Sequence, residues 1–181
     1  MGKKIFLLLT FAFSFTIIIF FYLLIIDRNP SNLPSQLIEK EVPIFNSKFL
    51  FSDEKFNSKN EFKNHVTLVN FFASWCAPCR DEHKYINKIS KDISIKIIGI
   101  NYKDKPDKAI SWLKEFENPY YKVITDPKGK IAIDWGVYGI PETFLVNSKG
   151  IIKYKHVGPI NKKIYKQLKK KISDLINNEK I

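Results

Sequence analysis

Residues Val66–Ala73, "VTLVNFFA", form an almost unbroken apolar run rich in β-branched and aromatic side chains. A run of this length without polar alternation suits a strand buried on both faces. Such a strand needs a layer of structure above it and another below. The surrounding chain offers those layers. "RDEHKYINKIS" is polar, with Tyr85, Ile86 and Ile89 on one helical face. "ISIKIIGINY" (Ile93–Tyr102) reads as a second buried strand, so strand, helix and strand imply a right-handed parallel crossover. Ala109, Trp112, Leu113 and Phe116 repeat at helical spacing after Pro106 and Asp107. "YYKVITD" suits a short strand, and Lys130 to Trp135 a short helix. Thr143–Val146 and Ile151–Val157 flank "NSKG", a turn signal for an antiparallel hairpin. Ile164, Leu168, Ile172 and Leu175 form the apolar stripe of a closing helix. The expected fold is α/β: a mixed central sheet with helices on both faces, in three α/β/α layers.

Ahead of this domain, Ile5–Ile26 carries neither charge nor proline. As a helix it would span roughly 33 Å, enough for a bilayer core. Lys3 and Lys4 precede it, while Asp27 and Arg28 follow. That balance keeps the N-terminus cytoplasmic and exports the rest. A cleavable signal peptide is the alternative, but "LLIIDRNPS" offers no small-residue cleavage site. The expected organisation is an N-terminal membrane anchor at 1–26, a linker at 27–41 and a folded domain at 42–181. Pro30, Pro34 and Pro43, among polar residues, mark a tether up to the domain start. The expected location is the cytoplasmic (inner) membrane, with the domain on the periplasmic side.

The net charge of +12 raises the question of nucleic acid. Of the 30 basic residues only Arg28 and Arg80 are Arg, and the Lys residues are scattered. Arg is the usual reader of phosphate and base edges, so no nucleic-acid partner is expected. The densest cluster, Lys162 to Lys171, falls on the closing helix and reads as a solvated face.

The chain has two cysteines, Cys76 and Cys79, in "WCAPC". They fall where the first buried strand ends and a helix begins, the edge at which ligands and chemistry collect in open α/β sheets. A thiol at a helix N-terminus meets unsatisfied N–H groups and the positive end of the dipole, which favour thiolate. On this reading Cys76 is the exposed attacking sulfur and Cys79 the resolving one, forming a redox disulfide between them. Pro78 suits the first helical turn. Other readings stand beside it. A structural disulfide across so short a loop would restrict little chain entropy. Zinc could recruit Cys76, Cys79 and His83, although no second pair lies nearby. Covalent haem would need His where Arg80 stands. No metal or cofactor is expected.

"FFASWCAPCR" after a buried strand, with "GIPETF" some 60 residues on, resembles the thioredoxin fold. More narrowly, "WCAPCRDEHKYIN", "GINYKDKPDKAISWLKEFENPY" and "GVYGIPETFLVNSKGIIKYKHVGPIN" resemble the DsbE/CcmG family, the membrane-anchored thiol:disulfide interchange proteins of cytochrome c maturation. The resemblance covers most of the chain from Val42 to Asn161. It implies that Cys76 is the nucleophile, Cys79 its partner and Pro141 a cis-proline facing them. Asn70 stands where generic thioredoxins carry a buried Asp. Glu82 and Glu142 match the family's acidic groups near the thiols. Either could move a proton or tune the thiols, Glu142 could instead contact the partner, and a solvated surface acid is the bland alternative for both. Trp75 and Gly136, Val137, Tyr138, Gly139, Ile140 and Pro141 would shape the partner groove. The implied activity is reduction of disulfides in apocytochrome c or a maturation protein. Electrons would come from a membrane thiol reductant of the DsbD/CcdA kind. A general periplasmic thiol reductant, or a non-catalytic module that binds apocytochrome, are the alternatives.

Overall fold

A computed structural model describes residues 2–26, 37–59 and 61–179. The expected tether around Pro30 and Pro34 lies outside the described residues. The chain divides into two compact units, Met1–Leu33 and Pro34–Ile181.

In the first unit, α1 (Gly2–Ile26) is a single 25-residue helix, long and apolar enough to cross a membrane. Its two threonine hydroxyls bond to its own backbone: Thr10 donates to the Leu7 carbonyl and Thr16 to that of Ala12. That back-bonding lets polar side chains sit in an apolar helix.

The second unit begins its backbone pairing ahead of Val42. The Glu39 N–H donates to Ile152 and the Val42 N–H to Gly150. Leu37 and Ile38 pack against the core, which draws this stretch onto the domain. A small antiparallel hairpin follows, β1 (Asn46–Lys48) and β2 (Lys55–Asn57). The sequence reading missed it, because two three-residue strands in polar surroundings carry too little periodicity to see.

The main sheet has five strands: β3 (Thr67–Phe72), β4 (Lys96–Tyr102), β5 (Lys122–Asp126), β6 (Glu142–Val146) and β7 (Ile152–Val157). Their order is β5-β4-β3-β6-β7. β3 lies at the centre, parallel to β4 and antiparallel to β6, and all six of its residues are buried. The expected strand from Ile93 starts instead at Lys96, because Ile93 ends the preceding helix with its N–H on Ile89.

The helices are α2 (Ala77–Asp92), α3 (Pro106–Glu115), α4 (Lys130–Asp134) and α5 (Lys162–Asn178). The crossovers through α2 and α3 both step the same way across the sheet. Right-handed crossovers then place both helices on one face, where α5 joins them. Leu68, Phe72, Ile97, Val123 and Leu145 meet those helices. Val69, Phe71, Ile98, Ile124 and Phe144 face the other way, towards α4, Phe45, Phe56 and Trp135. That second layer is thin and largely aromatic: fully buried Trp135 meets Phe62, Phe71 and Phe144, with ring centroids 5.1–5.8 Å apart.

Trp135→Ala should therefore leave a cavity that one short helix cannot close. We expect a loss of about 3–5 kcal/mol, read by chemical denaturation; a loss well under this range would show that the second layer repacks.

Candidate active site

At the carboxyl end of β3, fully buried Ala73 leads into a short turn, and Cys76 caps α2 with extended backbone (φ −88°, ψ 105°). Its Sγ accepts the Cys79 N–H at 3.1 Å, so one unpaired donor of the first helical turn points at this sulfur. Cys76 and Cys79 form a disulfide, with Cα atoms 5.3 Å apart.

The turn is clamped from β4, the next strand to end at this edge. Asp104 accepts from the Ser74 N–H at 2.6 Å and from the Ser74 hydroxyl at 2.9 Å. It also accepts from Asn101 and from the Lys105 N–H. The Trp75 indole N–H donates to the Lys103 carbonyl at 3.1 Å. Sequence reasoning used "NYKD" only as part of a resemblance and missed Asp104 as a clamp. Two adjacent parallel strands ending at one edge were the signal that could have found it.

The sulfurs are less open than expected. Cys76 is only 4% exposed and Cys79 1%, whereas the Trp75 side chain stands out at 59%. Cys76 Sγ lies 3.8 Å from the carbonyl oxygen of Ile140, whose side chain packs against both core clusters. The Ile140–Pro141 peptide is cis. The structure thus brings Cys76, Cys79, Trp75, Ile140 and Pro141 to one edge of the sheet.

Glu82 and Glu142 are both buried, so neither is a solvated surface acid. They lie on opposite faces of the sheet. Glu82, one helical turn beyond Cys79, faces β3 from α2. One carboxylate oxygen accepts from Asn70 at 2.8 Å and the other from the Ile160 N–H at 2.9 Å. Loss of hydration pushes its pKa up to about 7, against the lowering effect of those two hydrogen bonds. Asn70 is itself pinned: it accepts from the Tyr120 hydroxyl at 2.7 Å and donates to Thr143 at 3.1 Å. Burial, with the Glu82 charge adding to it, raises the Tyr120 phenol well above its usual range. Gly99 makes room for this arrangement, since a Cβ there would meet Phe72 and Tyr120 at 2.9 Å. Neither Tyr120 nor Thr143 was found from the sequence; each reads as an ordinary core position.

His83, the third member of the zinc alternative, has other partners. Its Nε2 lies 2.8 Å from the Glu117 carbonyl, and its ring packs on Trp112 at 4.4 Å.

Glu142 pairs in register with Phe71, which puts its side chain on the α4 side of the sheet. It holds the stretch Gly136, Val137, Tyr138, Gly139 from behind. One oxygen accepts the Tyr138 N–H at 2.9 Å and the Gly139 N–H at 3.3 Å. The other has no well-directed hydrogen bond and is compensated by an ion pair with Lys155 at 2.9 Å. Lys155 Nζ also donates to the Gly136 carbonyl at 2.7 Å and sits 4.1 Å from the Tyr138 ring centroid. Gly136 adopts φ +59°, a conformation that favours glycine. Sequence reasoning did not single out Lys155.

Chemically, a helix-capping sulfur, a second sulfur in the same turn and a buried acid one turn on can exchange disulfides and take up a proton.

Comparison with known proteins agrees with this geometry. The Redoxin family matches residues 39–172, a span that starts where backbone pairing begins. The chain is 38% identical over 184 residues to the thiol:disulfide interchange protein DsbE of Haemophilus influenzae, covering 99% of each chain. It is 57% identical over 97 residues to the thiol:disulfide interchange protein CycY of Rhizobium leguminosarum, covering 54% of this chain and 52% of that one. Among solved structures, a DsbF homologue from Corynebacterium diphtheriae superposes with a TM-score of 0.67 at 21% identity, over 82% of this chain and 97% of the other.

Glu82 should add a downward slope to the dependence of stability on pH. With a folded pKa of about 7 against an ordinary 4.5, Glu82 binds more protons folded than unfolded between those values. Its contribution is complete below the lower value and is lost as pH rises through the upper one, a change of about 3 kcal/mol. Burial holds His65, His83 and His156 below their usual range and adds slopes of the opposite sign, so denaturant titrations across that window should give a more positive slope in Glu82→Gln than in the parent chain. Equal slopes would show that Glu82 does not titrate there.

Proposed function

The chain belongs to the Redoxin family and, within it, to the DsbE-type thiol:disulfide interchange proteins; from that premise we propose that it is a membrane-anchored reductant serving cytochrome c maturation. Its activity is that of a thiol:disulfide oxidoreductase. The observation that carries the reading is the Cys76–Cys79 pair at the start of α2, with the Cys79 N–H on Cys76 Sγ.

In the proposed cycle the Cys76 thiolate attacks one sulfur of a substrate disulfide. That bond breaks, a mixed disulfide forms, and the other substrate sulfur leaves as a thiol after taking a proton. Cys79 then attacks Cys76 Sγ and releases the second substrate thiol, and the Cys76–Cys79 disulfide remains. Two electrons have passed to the substrate. Glu82 receives the Cys79 proton, for which a pKa near 7 is well matched.

The reducing direction is taken from the resemblance to the DsbE-type proteins, and the buried acid of α2 is compatible with it. A carboxylate beside the start of α2 opposes thiolate formation and offsets the favourable helix terminus. A couple whose reduced form is poorly stabilised gives up its electrons readily, the reverse of a strong oxidant. Glu142 is assigned to the partner loop rather than to the thiols, since it lies across the sheet from Glu82. Trp75, Tyr138 and Ile140 line the edge at which a substrate chain would approach Cys76, and the covered sulfur would open to it as the partner docks.

With α1 spanning the cytoplasmic membrane, the domain would work on its periplasmic side. Apocytochrome c or a maturation protein would be the substrate. A membrane thiol reductant of the DsbD/CcdA kind would reset the disulfide, because that compartment is kept oxidising.

Cys76→Ser should abolish turnover. Cys79→Ser should accumulate a mixed disulfide between Cys76 and its partner in cells, identified after non-reducing separation. Captured apocytochrome or maturation components are the expected result. Capture of unrelated exported proteins would point to a general reductant, and no capture at all would overturn the exchange cycle.

A further inference from the structure

We propose that Lys155 is a positioning residue for substrate: through a buried charge pair with Glu142 it holds the loop 136–141 in the shape that receives an extended, disulfide-bearing polypeptide. The proposal rests on the reading of that loop as the partner groove.

A lysine whose side chain is 3% exposed needs partners for its charge. Those of Lys155 converge on one place. Its ammonium meets Glu142, donates to the Gly136 carbonyl and lies beneath the Tyr138 ring. Glu142 uses its remaining oxygen on the Tyr138 and Gly139 N–H groups. The pair therefore touches the loop at Gly136, Tyr138 and Gly139, all from the side away from solvent.

The opposite side of the loop is what a partner meets. Tyr138 is 62% exposed, an aromatic platform carried on a buried cation. The Ile140 carbonyl, 3.8 Å from Cys76 Sγ, is an acceptor beside the reacting sulfur. A polypeptide in extended form can place a backbone N–H on that carbonyl and a side chain on the ring, whereas a small disulfide uses neither.

A buried ion pair adds little net stability compared with apolar side chains of similar size, and its best-attested use is to fix one arrangement. The fixed arrangement here is that of the loop. Lys155 lies across the sheet from the Glu82–Asn70 cluster, since it pairs in register with Phe144 on the α4 side. Its effect on docking is therefore separable from the protonation of the thiols.

The test follows single turnovers of the reduced full chain in detergent micelles with either of two disulfide substrates in excess, each turnover leaving the Cys76–Cys79 disulfide and reduced substrate, so that kcat and KM are the limiting rate and half-saturating concentration of that one turnover. One is a short peptide with a disulfide across a C-x-x-C pair; the other is dithiobis(2-nitrobenzoate). The parent chain should favour the peptide. In Lys155→Met the ratio of kcat/KM, peptide over small disulfide, should fall about ten- to a hundredfold, as expected when a positioned group is misplaced by an ångström or so. The loss should lie in the peptide KM, and Lys155→Arg should restore it. If Lys155→Met does not fold, the charge-neutral pair Lys155→Met with Glu142→Gln carries the same comparison. A ratio unchanged from the parent overturns the proposal, as does an equal loss on both substrates, which would mark a general structural role. A parent chain with no preference for the peptide overturns the docking loop itself, and this proposal with it.

Discussion

The structure depends on how one carboxylate is kept in the core. Glu82 projects from α2 into a layer built mostly of aliphatic and aromatic side chains, and both of its oxygens are satisfied. The Ile160 amide ties it to the segment that leads into α5, and Asn70 ties it to the central strand. Through Asn70 the connection runs on to Tyr120 before β5 and to Thr143 on β6. A polar cluster of this kind is stable only when every member is paired. Its completeness fixes the depth of α2 against the sheet, and with it the height at which Cys76 caps the helix.

Much of this fold is legible in the residues. The buried run at Val66–Ala73 dictates a central strand, and the strand–helix–strand order sets the parallel half of the sheet. "NSKG" sets the antiparallel half. The β1–β2 hairpin is not legible, since its strands are too short to show a period. At the site, the cysteines and the helix start follow from pattern, and the two acids from resemblance. Their placement on opposite faces was within reach, because Glu142 and Thr143 must alternate across the sheet. The Lys155 pairing was harder to reach. It is a diagonal contact between β6 and β7, and the pairing carries a register irregularity at Leu145 and Val146 that the turn sequence does not announce.

The division between faces also sorts the chemistry. One face holds a lone acid whose protonation is finely balanced by burial. The other holds an acid compensated by a lysine and bonded to the backbone of the loop at Tyr138 and Gly139. Two carboxylates that look equivalent along the chain are thus given different surroundings by the parity of a strand and the turn of a helix.

The disulfide bridges residues only three apart at the head of one helix. The chain on either side is held without it, by the Asp104 clamp, the Cys76 amide on Ala73 and the helix itself. Opening so short a link releases no long stretch of chain. The scaffold at this edge therefore does not rely on the disulfide for its shape. A link that closes so little chain suits an electron carrier, because the surrounding elements have no long loop to lose when the two sulfurs part.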